Sequence, residues 1–175
     1  MLGKTGSRRE PPQSHSQIAV HGAAAREVEL IRVTWDSSPD PGEFLRFITA
    51  YTRGRFSSGL AERVTLASTE LLDNALRYGS LARDFSYALK IDDAKVTVSV
   101  RNTTVRTRVD MLTAQLRRLD SSPEQVYASE LERSLSAGSG RRSMLGLARI
   151  RHEAEMRVDV QVSDNEVNVC AYCAR

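Results

Sequence analysis

The spacing of apolar residues changes at Gly79. Before it, apolar side chains recur at helical spacing from about Ser58 to Tyr78, which predicts an amphipathic helix that ends before the glycine. After it, apolar and polar residues alternate in two runs separated by Asp92-Asp93. This alternation predicts a β-hairpin, because successive side chains of a strand point to opposite faces. The alternating apolar residues are Phe85, Tyr87, Leu89, Ile91, Val96, Val98 and Val100.

Similar patterns flank this helix and hairpin. A strand is expected near residues 31–35, followed by a helix that Asp40 caps and Pro41 begins. A polar region at 102–142 contains apolar residues at helical spacing. Another helix is expected at 145–153, and a second hairpin closes the chain. This order predicts an α+β fold, a two-layer α/β sandwich with helices on one face of a mixed sheet.

The first 25 residues differ in composition from the rest. Residues 1–25 are rich in Ser, Gly, Pro and Arg, and they can bury too little apolar surface to offset the entropy cost of ordering. We therefore expect a disordered tail at 1–25 and one domain at 26–175. The chain contains no run of about 20 apolar residues, so no membrane-spanning segment is expected. With no apolar run behind the first basic residues either, a cytoplasmic protein is expected.

Charge and cysteine content exclude several classes. The net charge of +3 is small, and the arginines are scattered, which does not favour a nucleic-acid surface. Cys170 and Cys173 form a C-x-x-C pair, but no second pair of ligands exists to complete a zinc site. The pair also lies in a strand-like segment instead of at a helix N-terminus, so structural cysteines are expected.

Two polar residues of the helix before Gly79 stand out. Glu70 and Asn74 are four residues apart and therefore lie one above the other, at the margin of the apolar face. The amide oxygen of Asn74 is a suitable Mg²⁺ ligand, and Glu70 could orient or deprotonate a hydroxyl group. The alternative is that both are ordinary polar residues at the edge of an amphipathic helix.

The segment Glu70-Leu-Leu-Asp-Asn-Ala-Leu-Arg-Tyr78 resembles the N-box of the GHKL superfamily, which includes histidine kinases and type II topoisomerases. This resemblance implies the Bergerat-type ATP-binding fold, with ATP and Mg²⁺ as cofactors. It implies that Glu70 is catalytic, acting on the attacking group, and that Asn74 is the metal ligand. It also implies that Arg77 reaches the phosphates and that Tyr78 flanks the nucleotide.

The two glycine-rich boxes of the superfamily are degenerate in this chain. Asn102 stands where an Asp normally accepts a hydrogen bond from the adenine amine, and an Asn carbonyl can also accept this bond. Both glycines that normally follow are missing. In the last box only Gly146 remains, at the start of a helix whose N-terminus could face phosphates. Gly138 and Gly140 lie upstream, where they could give mobility to a lid.

Within the superfamily, the chain is most similar to the anti-sigma-factor serine/threonine kinases. Those proteins phosphorylate a small antagonist protein and switch partners with nucleotide state. The resemblance implies a bacterial regulatory protein whose partner is an antagonist domain or a sigma factor, and it leaves a homodimer open. The alternative is a catalytically degenerate module that acts as a protein-binding adaptor, with 102–142 as the partner-binding element. Whether the protein is an enzyme is open at this point.

Overall fold

The computed structural model describes residues 27–35, 40–79, 85–136 and 143–175. The predicted tail at 1–25, and Gly138 and Gly140 of the predicted lid, lie outside these residues. The described elements, in chain order, are β1 (Val28–Trp35), α1 (Pro41–Arg55), α2 (Ser58–Tyr78), β2 (Phe85–Ile91), β3 (Lys95–Thr103), α3 (Arg106–Ser121), α4 (Pro123–Ser136), α5 (Ser143–His152), β4 (Arg157–Ser163) and β5 (Glu166–Ala174).

The predicted α+β sandwich is confirmed, with one correction to its sheet. The strands have the order β1-β2-β3-β5-β4, and every neighbouring pair among them is antiparallel. The sheet is therefore not mixed. After β3 the chain continues through α3, α4 and α5 and forms β4 at the far edge of the sheet. β5 then lies between β3 and β4 and is hydrogen-bonded to both.

The helices cover one face of the sheet. Alternate strand residues point towards them and are almost fully buried, including Tyr87, Leu89, Val96, Val98 and Ala171. The hydroxyl groups of Tyr87 and Ser68 lie 2.9 Å apart, so the buried tyrosine is hydrogen-bonded to α2. Burial of this apolar layer supplies most of the free energy that holds α2 on the sheet.

Local sequence signals set the helix boundaries. The Asp40 carboxylate accepts hydrogen bonds from the backbone N–H groups of Gly42 and Glu43, at 2.8 and 3.3 Å, and Pro41 is the first residue of α1, as predicted. The predicted bounds of α2 are also confirmed. The polar region after β3 forms two helices, α3 and α4, which separate just before Pro123.

The two cysteines lie on opposite faces of β5. Cys173 is buried towards the helices, whereas Cys170 is on the open face, because residues three apart in a strand point in opposite directions. Both thiols are free. Among the described residues, no helix combines the length and the apolar character that crossing a membrane requires.

Candidate functional site

Helix α2 separates two depressions that together contain all the predicted site residues. The first, here called the cavity, has a volume of about 180 Å³ and is enclosed by α2, β3, α3, α5 and β5. The second, here called the cleft, has a volume of about 430 Å³ and lies between the start of α1, the C-terminal half of α2 and α5.

Three of the predicted residues meet at the cavity. Asn74 and Tyr78 reach it from α2, one turn apart, and Asn102 reaches it from β3. Asn102 is only 9% exposed, because α2, β5 and α3 surround the end of its strand. The remaining wall is largely apolar and includes Val100 and Val169. The cavity thus combines an apolar interior with three amide side chains, those of Asn74, Asn102 and Gln115, and the last two of these are buried.

The other three predicted residues lie in the cleft. Glu70, Arg77 and Gly146 border it, on the side of α2 that faces α1 and α5. Gly146 lies at the boundary between the two depressions. A methyl group on its Cα would come within 2.7 Å of Glu70 Oε2 and 3.5 Å of Asn74 Nδ2. A side chain here would collide with Glu70, so the glycine allows α5 to pack directly against α2.

Glu70 is engaged in an ion pair across the cleft. Its carboxylate accepts a hydrogen bond from the Arg149 guanidinium. Arg149 also bonds both carboxylate oxygens of Glu153, at 2.9 and 3.0 Å, and Tyr127 donates its hydroxyl to Glu153 at 2.9 Å. The chain of contacts joins α2 to α5 and α4. One arginine therefore serves two carboxylates, and its stronger, bidentate contact is with Glu153.

The pKa values of the two carboxyl groups move in opposite directions. Burial raises the pKa of Glu70 above its usual value, although Arg149 partly opposes this shift. The hydrogen bonds from Arg149 hold the pKa of Glu153 below its usual value. The difference follows from exposure: Glu70 loses most of its hydration at the α2–α5 contact and shares its only described cationic partner with Glu153.

Arg77 does not reach the cavity. Its Nε lies 2.9 Å from Asp73 Oδ1, one turn earlier on α2, and both side chains are more than 40% exposed. The spacing of these two residues could have predicted this pair from the sequence. The predicted contact between Arg77 and a phosphate group stays a prediction, and among the described residues Arg77 borders the cleft instead of the cavity.

A different arginine lies beside Tyr78. The Arg108 guanidinium donates to the Tyr78 backbone carbonyl at 2.6 Å and lies 5.8 Å from the centre of the Tyr78 ring. Thr104 donates to the same carbonyl at 2.6 Å. These bonds satisfy the C-terminus of α2 and fix the start of α3 over the cavity mouth.

Sequence reasoning missed Arg108 and Arg149. The pair of Arg149 with Glu153 could have been predicted, because the two residues are four apart in a predicted helix. The contact of Arg149 with Glu70 could not, because the two residues are 79 positions apart in the chain. No sequence pattern pointed to Arg108, because the carbonyl that it binds is 30 residues away. Among the described residues, no group of three His, Cys, Asp or Glu side chains could hold a metal ion. A metal ion at the cavity would have to be bound by the Asn74 amide together with oxygens of a small molecule bound in the same cavity.

Comparisons with known proteins show a similarity of fold to a solved structure. No family model matches the sequence, and no curated protein matches it. Among solved structures, a chain of the SiaB–SiaC complex from Pseudomonas aeruginosa matches with a TM-score of 0.59 and 16% sequence identity. The match covers 84% of this chain and 91% of that chain. The two chains therefore share the α+β sandwich over most of their length.

Proposed function

We propose that the protein is a regulatory module of the GHKL type that binds ATP with Mg²⁺ in the cavity and acts on a protein partner. The convergence of Asn74, Tyr78 and Asn102 on one cavity carries this proposal. These residues lie on two elements and are brought together only by the fold. The GHKL resemblance gives each of them a role in nucleotide binding, and the cavity lies beside all three.

The inner end of the cavity has the chemistry that an adenine base requires. Its walls include Val100, Val167 and Val169, which suit a flat aromatic ring. Asn102 is a buried polar side chain in the same wall, and its carbonyl can accept a hydrogen bond from the exocyclic amine. A buried amide next to an apolar wall is typical of a site that reads one edge of a heterocycle.

The outer end suits phosphate groups and a metal ion less completely. Asn74 is partly exposed at the cavity wall, and its amide oxygen would be the one protein ligand to Mg²⁺, with phosphate and water oxygens completing the coordination. Bound ATP would supply a phosphoryl group for transfer. The described residues of this chain would contribute positioning and charge neutralisation.

The proposed reaction is phosphorylation of a Ser or Thr hydroxyl on a small antagonist protein, as the resemblance to anti-sigma-factor kinases implies. Glu70 would assist that hydroxyl, and the position of Gly146 supports this role. A methyl group at Gly146 would meet both the Glu70 carboxylate, at 2.7 Å, and the Asn74 amide, at 3.5 Å, so both side chains lie against the same part of α5. The solved neighbour comes from a protein complex, which is in keeping with a partner protein.

A second candidate function is favoured by the ion pair of Glu70. Its carboxylate is bound by Arg149 and lies on the cleft side of α2. In this candidate, Glu70 is a structural residue of the α2–α5 contact. The protein would then be a catalytically degenerate adaptor that binds a partner protein without phosphorylating it.

Binding of Mg-ATP is the first test. We would measure the melting temperature during a titration, with Asn102→Ala and Asn74→Ala as test variants and Asn168→Ala, on the open face of the sheet, as control. A ligand that binds only the folded state adds about 2.7 kcal/mol at a hundredfold excess over Kd. We expect a clear rise for wild type and control, a loss in Asn102→Ala, and a loss of Mg²⁺ dependence in Asn74→Ala. A flat wild-type response at millimolar ATP would reject nucleotide binding.

Phosphotransfer separates the two candidates. Radiolabelled ATP would be incubated with the protein and with partners co-purified from the native cell extract. Transfer to a partner that is abolished in Glu70→Gln, while Mg-ATP still raises the melting temperature of that variant, would support the kinase. Nucleotide binding without transfer in wild type would favour the adaptor.

A further inference from the structure

Arg108 is the one formally charged side chain among the described residues that line the cavity. The other polar groups there are amides and hydroxyls. Arginine keeps its charge at any physiological pH. A ligand with a negative group would therefore find one complementary charge within the described wall, and its position would decide how that ligand is oriented.

Only one nitrogen of the Arg108 guanidinium makes hydrogen bonds to the described part of the chain. Its Nη1 donates to the carbonyl oxygens of Tyr78 and Gly79, at 2.6 and 3.3 Å. Within the described part of the chain, its Nε and Nη2 make no hydrogen bond. The planar fork is thus anchored at the C-terminus of α2 and retains N–H groups that can bind an anion.

Arg77, the other candidate for this role, is directed elsewhere. It borders the cleft and pairs with Asp73. To reach the cavity it would have to break this pair. Arg108 needs no such movement, because it already borders the cavity at its exposed mouth.

We propose that Arg108 is the anion-binding residue of the cavity, so that the site takes a flat apolar group joined to a phosphate or similar anion, with the anion at the α3 mouth. This deepens the proposed function, because for a nucleotide ligand it assigns the phosphate contact to Arg108 instead of Arg77. The contact also ties ligand binding to the C-terminus of α2, because the same guanidinium holds Tyr78.

A nucleotide series tests this assignment. We would measure Kd for adenosine and ADP by calorimetry in wild type, Arg108→Gln, Arg108→Lys and Arg77→Gln. Arg106→Gln is the matched control, because Arg106 is on the same helix and pairs with Asp110 at 3.2 Å. For a partly exposed ion pair we expect the preference for ADP over adenosine to fall about fivefold in Arg108→Gln.

The other variants define the remaining outcomes. Arg106→Gln and Arg77→Gln should keep the wild-type preference, and Arg108→Lys should keep most of it. Taking the ratio of the two Kd values removes any general damage to the cavity that the loss of the bonds to Tyr78 causes. If Arg77→Gln lowers the ratio and Arg108→Gln does not, the assignment to Arg108 is wrong.

A second probe keeps the test independent of nucleotide binding. The fluorescent anion 1-anilinonaphthalene-8-sulfonate and its uncharged analogue N-phenyl-1-naphthylamine differ only in the sulfonate. We expect the anion to bind about fivefold more weakly to Arg108→Gln than to wild type or Arg106→Gln, with the uncharged probe unaffected. An equal loss for both probes, or no binding of the anion to wild type, would overturn the proposal. If this result holds while adenosine and ADP both fail to bind, only the nucleotide assignment is lost.

Discussion

The Glu70 carboxylate accepts a hydrogen bond from the Arg149 guanidinium across the contact between α2 and α5. The residue that the GHKL resemblance makes catalytic is therefore compensated in charge by the chain itself, at the border of the cleft. Gly146 makes this arrangement possible, because α5 can approach α2 closely only where no side chain intervenes. The ion pair and the glycine thus form one structural unit.

Loss of Arg149 should destabilise the fold. Arg149→Gln leaves the Glu70 carboxylate poorly hydrated and without its cation, and we expect the free energy of unfolding to fall by about 1–3 kcal/mol. Arg77→Gln is the matched control, because it breaks an exposed pair of the same type and should cost no more than about 0.5 kcal/mol. Urea unfolding measures both.

The double variant Glu70→Gln/Arg149→Gln refines this prediction. If the cost arises from an uncompensated carboxylate, the second substitution should recover part of the stability lost in Arg149→Gln. Strictly additive losses would mean that Arg149 stabilises the fold through Glu153 or through packing of its side chain, and not through Glu70.

A methyl group at position 146 should be costly. In Gly146→Ala the new Cβ would lie 2.7 Å from Glu70 Oε2, so either Glu70 or α5 must shift. We expect a loss of about 1–3 kcal/mol, the range typical of overpacking. Gly59→Ala, also in a helix, meets nothing within 4 Å and should be neutral or add up to about 1 kcal/mol. Equal effects in thermal unfolding would contradict the close contact.

The buried tyrosine should make the fold sensitive to alkali. Burial raises the pKa of Tyr87 well above its usual range, so the folded chain keeps this proton at a pH where the unfolded chain releases it. The unfolded state then binds fewer protons, and stability falls as the pH rises above about 10, the ordinary tyrosine value. Urea unfolding between pH 8 and 11 measures this slope.

Two phenylalanine variants isolate the contribution of Tyr87. Tyr87→Phe should lose about 1 kcal/mol at pH 8 with its bond to Ser68, but it should show a shallower fall at high pH. Tyr172→Phe, on the open face of the sheet, is the control. If it flattens the alkaline slope as much as Tyr87→Phe does, the buried phenol is not the responsible group.

Local signals predicted the elements, and long-range packing explains what they missed. The Asp40 cap and the change of period at Gly79 act over a few residues, so the sequence was sufficient to place α1, α2 and the hairpin that follows. The packing of Glu70 and Asn74 against Gly146 depends on α5, which lies beside them only in the fold. Helical spacing gave the angle of each side chain on α2, but it could not tell which element would lie opposite.

The substitution of Asn102 for the superfamily's aspartate leads to a prediction about base selectivity, which rests on the proposed nucleotide site. An asparagine amide both donates and accepts hydrogen bonds, so Asn102 can adapt to the amine of adenosine or to the carbonyl of inosine. A carboxylate can only accept. In Asn102→Asp we therefore expect the preference for adenosine over inosine to rise by tenfold or more, since bonds to charged groups contribute about 1.5–3 kcal/mol.

The same substitution should weaken the protein without ligand. Asn102 is 9% exposed, and a carboxylate in its place would lose hydration without a described cation in contact, at a cost of about 1–3 kcal/mol. Adenosine should recover part of this loss, because its amine would bond the carboxylate. Melting curves of wild type and Asn102→Asp, each with adenosine, inosine or neither, measure both effects. Unchanged selectivity in a folded Asn102→Asp protein would mean that position 102 does not contact the base.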